Sequence, residues 1–137
     1  MFRTAVRRPV FLGLALTAVS IAPAPSGTSP RPSPLANARY EAAVHQFEEQ
    51  WTYYRQSRTN SFETYYWSRL LLDAQQDLSD EKTDRLAALE AHLQRMKRLE
   101  ALVLKVRKLG FGFSTDVGAT RYYCLEAERW LEKARAG

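Results

Sequence analysis

Apolar positions recur at helical spacing along most of the chain. Tyr40, Val44, Phe47, Trp51 and Tyr54 are spaced 4, 3, 4 and 3, the stripe that one helix face presents to a coiled-coil neighbour. Leu86, Leu89, Leu93 and Met96 continue at 3, 4 and 3. Beyond Met96 the stripe drifts through Leu99, Leu102, Val103, Val106 and Leu109, so the heptad slips there. Neither Pro nor Gly occurs from Leu35 to Leu109, and β-branched residues are sparse. This pattern predicts an all-α body with helices at about 37–56, 62–78, 81–109 and 115–135. Ser61 and Ser114 are each predicted to cap a helix. Glu63 and Asp116, two residues on, fall where the helix dipole favours a carboxylate. Ser79-Asp80-Glu81 offers similar chemistry between the second and third helices. A single rod across residues 62–109 would be ~72 Å long, too long for a compact domain of this size.

A shift of 53 residues lays the second half of the body on the first. Ser57 then meets Gly110, Ser61 meets Ser114, and Glu63 meets Asp116. Leu71, Ala74 and Leu78 meet Cys124, Ala127 and Leu131. The shared turn and cap go beyond what helical periodicity requires. They predict two antiparallel helical hairpins with coiled-coil-like packing, related by internal duplication.

The ends of the chain differ in composition. All six prolines lie between Pro9 and Pro34, and residues 1–38 contain no acid. Arg3, Arg7 and Arg8 precede Val10–Ala22, an apolar run of 13 residues. That run is shorter than the ~20 residues of a spanning helix. The pattern predicts an export signal and Pro-rich segment over 1–38, cleaved after Ala38 or after Ala24, and a helical hairpin domain over 39–137. The body would then lie in the periplasm or cell envelope. The formal charge of +5 comes mostly from the leader, because 16 basic residues face 15 acids from Arg39 onward. That balance argues against a nucleic-acid partner. One cysteine excludes a disulfide framework and a cysteine-based zinc site.

Catalytic and cofactor signatures are sparse, so no enzyme activity, metal or cofactor is expected. His45 has Glu41, Glu48 and Glu49 within a turn, and His92 has Glu90 on the wrong face for a di-metal motif. Both histidines are read as solvated helix residues. Cys124 occupies a core position and is expected to be an inert buried thiol. Aromatics crowd both turns, with Tyr53, Tyr54, Phe62, Tyr65, Tyr66 and Trp67 near the first and Phe111, Phe113, Tyr122 and Tyr123 near the second. Tyr65, Tyr66 and Trp67 cannot share one buried stripe.

Lys105–Val117 ends one helix, turns and starts another. A basic helix end, Gly110, five residues, then Asp116-Val117 and an Ala/Leu-rich helix resemble the periplasmic hairpin of the TolC-like outer-membrane efflux family. That family is longer and carries barrel strands, whereas this chain has no alternating strand run. The resemblance therefore covers the hairpin repeat alone. It implies transport-related assembly or interaction, with an envelope adaptor protein or a second copy as partner. The implied contact surface is the hairpin tip, Arg107, Lys108, Gly110, Phe111, Phe113 and Asp116. The first-repeat tip would be Arg55, Arg58, Phe62 and Glu63. Membrane association through such a tip is compatible with the sequence. The runner-up expectation is an exported four-helix bundle holding a small apolar ligand between aromatic helices.

Overall fold

The computed structural model describes residues 31–137, so the export signal expected over 1–38 lies largely outside the described residues. Four helices follow one another: α1 (Pro34–Arg55), α2 (Ser61–Gln76), α3 (Lys82–Lys108) and α4 (Thr115–Ala136). The fold is all-α.

Helix α1 starts three residues earlier than the sequence pattern suggests. Pro34 sits in the first turn, where its missing N–H removes no helical bond. Ser33 caps that turn, its Oγ accepting from the Ala36 N–H at 3.1 Å. The expected boundary at residue 38 therefore falls inside α1. At α2 the cap is Asn60 rather than Ser61: its side chain accepts from the Glu63 N–H at 3.2 Å. Ser61 is the first helical residue and is buried. Ser114 precedes α4 but has helical backbone angles and makes no side-chain cap bond. Residues 77–81 separate α2 from α3, and there Ser79 Oγ accepts from the Glu81 N–H.

The turns after α1 and α3 are built alike. The Arg58 N–H reaches the Tyr53 carbonyl and the Ser57 N–H the Tyr54 carbonyl. At 53 residues' remove, Phe111 N–H reaches Val106 and Gly110 N–H reaches Arg107. Both patterns are Schellman ends, which need a left-handed residue. Gly110 supplies it at φ 84° and Ser57, a residue with a Cβ, at φ 56°. The following helices correspond only in part. Leu71 and Cys124 are both buried, as are Ala74 and Ala127, but Thr64 is fully buried where Val117 is exposed.

Helix α2 doubles back along α1, and Arg39 near the start of α1 pairs with Asp77 just past the end of α2. Helices α2, α3 and α4 enclose the main core, including Leu72, Leu89, Leu93, Met96, Leu99, Val103, Cys124 and Leu131. Each such aliphatic side chain contributes about 1.5–3 kcal/mol by leaving water. Helix α1 is held differently. It packs on α2 through a small seam of Ala43, Leu71 and Ala74, with Tyr40, Val44 and Phe47 half-buried against it. Only Ala43 and Tyr54 of α1 are buried.

Candidate functional site

Both turns lie at one end of the bundle, and a buried carboxylate joins them. Asp116, in the first turn of α4, is 4% exposed. Its Oδ1 accepts from Ser61 Oγ at 2.7 Å and from the Ser61 N–H at 3.4 Å, while Oδ2 accepts from Tyr54 Oη at 3.0 Å. The end of α1 and the start of α2 are thereby tied to the start of α4. Burial, and then the Asp116 carboxylate, push the Tyr54 phenol well above its ordinary range. Asp116 was expected at an exposed tip, serving the helix dipole. That placement is corrected: a short acid at the start of a helix can face outward or inward. Here two hydroxyls and an amide satisfy the inward-facing one.

The rest of the tip is open to solvent. Phe62, Leu109, Phe111 and Phe113 are each more than half exposed. Phe62 and Phe113 line a shallow depression of ≈ 270 Å³ above Asp116. Phe62 also stacks on Tyr66, with ring centroids 6.1 Å apart. Arg55, Arg58, Arg107 and Lys108 are exposed around these rings, and Glu63 is half-buried. Not every cation is free for a partner. Arg107 donates to the carbonyls of Gly112 at 3.1 Å and Phe111 at 3.4 Å, bracing its own turn. Arg58 lies 4.7 Å from the Tyr53 ring centroid.

Sequence reasoning missed Gly112. Its φ is 73°, and a Cβ there would meet Val106 Cγ1 at 3.1 Å. The turn can fold back over the bundle end only with no side chain at that point.

Beside the tip, α1 and α3 flank an open groove over α2, ≈ 700 Å³ in volume. Phe47 and Trp51 form much of one wall and Leu71 part of the floor. Arg95 and Arg98 come from α3, and Arg55 from the end of α1. Arg95 lies 5.6 Å from the Phe47 ring centroid, and Arg98 lies 5.2 Å from that of Trp51.

Behind the groove is a sealed polar cluster. Arg95 Nε donates to Ser68 Oγ at 2.7 Å, and Ser68 Oγ lies 2.9 Å from His92 Nδ1. Ser68 and His92 are both 0% exposed. His92 stacks on Trp130, and its Nε2 has no partner among the described residues. Burial, reinforced by the Arg95 charge, lowers its pKa to about 3. Burial likewise lowers the Arg95 pKa to about 10. His92 was expected in solvent, and that reading is corrected. It lies three residues after Leu89 and four before Met96, so the stripe itself carries it inward. His45 is exposed as expected.

A Ser–His pair can suggest nucleophilic chemistry, but nucleophile and base must meet a substrate. Here helix packing closes both atoms off from solvent. Cys124 is also buried, and desolvation together with Glu100 raises its thiol pKa to about 11. Among the described residues, no group of three His, Cys, Asp or Glu is placed to hold a metal, and no helix is long and apolar enough to cross a membrane. Comparison of the chain with protein-family models, curated proteins and solved structures finds no significant match, so the functional reading rests on this geometry.

Proposed function

We propose that the protein is a non-enzymatic helical-hairpin component of the cell envelope that acts in transport-related assembly by presenting its tip to a partner. The carrying observation is the Asp116 clamp. It ties the two turns together and withdraws the Asp116 carboxylate from solvent, while Phe62, Leu109, Phe111 and Phe113 stay exposed, as do Arg55, Arg58, Arg107 and Lys108 at the same helix ends. Exposed aromatics gathered at one end and flanked by arginine and lysine are the composition of a recognition patch. The resemblance of Lys105–Val117 to a TolC-like periplasmic hairpin supports the same end of the molecule as the working end. The matching turns, at one offset of 53 residues, support reading the hairpins as copies. The partner on this reading is an envelope adaptor protein or a second copy of the chain.

A photo-crosslinking side chain placed at Phe111, and separately at Leu125 as an exposed position remote from the turns, tests the proposal in the producing cell. Crosslinks from Phe111 to an envelope protein or to itself, absent from Leu125 and weakened by Arg58→Glu with Lys108→Glu, support it. Equal patterns from both positions would reduce the tip to a structural turn. A second reading, binding of a small ligand, is favoured by the α1–α3 groove, whose volume falls within the range of small-molecule sites.

A further inference from the structure

The groove is not uniform along its length. Toward the start of α1 it is more apolar, with Tyr40, Val44 and Phe47 on one wall, Ala91 opposite and Leu71 beneath, and with Gln75, Gln94 and Arg95 as the polar side chains among them. Toward the tip it turns polar and cationic, with Thr52, Arg55 and Arg98. From Tyr40 to Arg55 the wall rises ~22 Å at helical pitch. Three arginines face this space against one glutamate, Glu48. None of the three is in an ion pair among the described residues. Arg95 is already committed inward to Ser68 and Gln75. Arg55 and Arg98 make no hydrogen bond to a side chain among the described residues, and Arg98 rests its guanidinium on Trp51.

We propose that the α1–α3 groove binds an anionic amphiphile, its acyl or aromatic body on Tyr40, Val44, Phe47 and Leu71 and its single anionic head between Arg55 and Arg98. The inference rests on the second, ligand-binding reading and narrows it from an apolar ligand to an amphiphilic anion. It does not depend on a partner at the tip, although Arg55 borders both surfaces. Charge complementarity selects the occupant. A guanidinium lying on an aromatic face keeps its N–H edge free for a carboxylate, phosphate or sulfate. On the floor, Leu71 is apolar and the Gln75 side-chain carbonyl is already engaged by Arg95, so the body of a ligand meets mainly apolar side chains there. The chain's own residues 10–22 are apolar, but the leader holds no acid to satisfy the arginines.

Trp51 supplies the readout. Full-length protein is titrated with dodecanoate below its micellar concentration and followed by tryptophan emission and calorimetry, with dodecanol and dodecyltrimethylammonium in parallel. Dodecanoate should bind one to one by calorimetry and shift the emission, and the shift should vanish in Trp51→Phe. Arg55→Gln and Arg98→Gln should each weaken dodecanoate about tenfold, the loss of one charge-assisted hydrogen bond, and leave dodecanol unchanged. Circular dichroism checks that each variant stays helical. Dodecanol binding as tightly as dodecanoate would keep the ligand-binding reading and overturn the anionic one. Absence of any saturable binding would overturn both, whether a second copy or residues 10–22 fill the groove. Comparison of dodecanoate with dodecyl phosphate distinguishes a carboxylate from a phosphate head.

Discussion

Removing the Asp116 carboxylate leaves the buried Tyr54 and Ser61 hydroxyls without the acceptor they share. Asp116→Ala should therefore destabilise the fold by about 2–4 kcal/mol, more than the ~1 kcal/mol of a lost helix cap. Tyr54→Phe alone should cost about 1 kcal/mol, and the double variant much less than the sum. Urea unfolding of the four proteins measures this directly; additive effects would mean the two side chains act separately. His92 gives a second expectation, in pH. Its pKa is about 3 when folded, against 6.5 as the ordinary value. Between those values the unfolded chain holds a proton that the folded chain lacks, so stability should fall as pH drops from 6.5 toward 3. The slope approaches about 1.4 kcal/mol per pH unit at most. Thermal unfolding at pH 7, 5.5 and 4.5 should show this loss, reduced in His92→Phe. His92 was partly legible in the sequence, because its spacing from Leu89 and Met96 marks the inward face. Asp116 was not, since Tyr54 lies 62 residues away and local pattern cannot tell a cap from a clamp.

The helices themselves were legible because helix-forming composition, absent Pro and Gly, and apolar spacing all agree. Their boundaries were less so. The Pro-rich segment ends at Pro34, and α1 begins there because proline suits a first turn as well as it prevents an interior one. Ser61 has the side chain of a cap, yet Asn60 just before it holds the capping geometry. What sequence could not supply is how unequally the helices are held. Helix α3 buries Ala88, Leu89, His92, Leu93, Met96, Leu99, Val103 and Val106, whereas α1 buries Ala43 and Tyr54. Native-state hydrogen exchange should accordingly find α1 opening with less free energy than α3, since few buried contacts hold it. Protection in α1 should be greatest near Tyr54 and decline toward Pro34. Uniform protection across α1 and α3 would show a single cooperative unit.

The assembled molecule is asymmetric from end to end. One end carries the exposed phenylalanines, the C-termini of α1 and α3, and a basic rim. The other carries Asp77, Asp80 and Glu81 between α2 and α3, with Arg39 and Arg85 among them. Charges on the rim are solvated and contribute little to folding. Arg58→Glu with Lys108→Glu should thus shift stability by no more than about 0.5 kcal/mol. The same pair should weaken tip crosslinking, and added salt should weaken it in the unmodified protein, because exposed charges are screened within ~10 Å at 0.1 M. A large loss of stability in the pair would mean that these side chains brace the turns, as Arg107 does. Neither the joining of the two turns nor the groove could be read in advance, because each depends on how the helices lean together.

The clamp also gives α1 a mechanical character. Tyr54 pins the helix at one end, while the other is held by the small Ala43 seam against α2 and by the solvent-exposed Arg39–Asp77 ion pair. Helix α1 is in effect a lever with its fulcrum at the tip and an arm of ~22 Å to Arg39. A swing of about ten degrees at Tyr54 would carry the far end ~4 Å while barely disturbing the turns. The apolar half of the groove lies along the moving part of that arm, and Arg55 sits at the still point. A swing of that kind would widen the apolar half by parting the Ala43 seam, and would leave the cationic end in place.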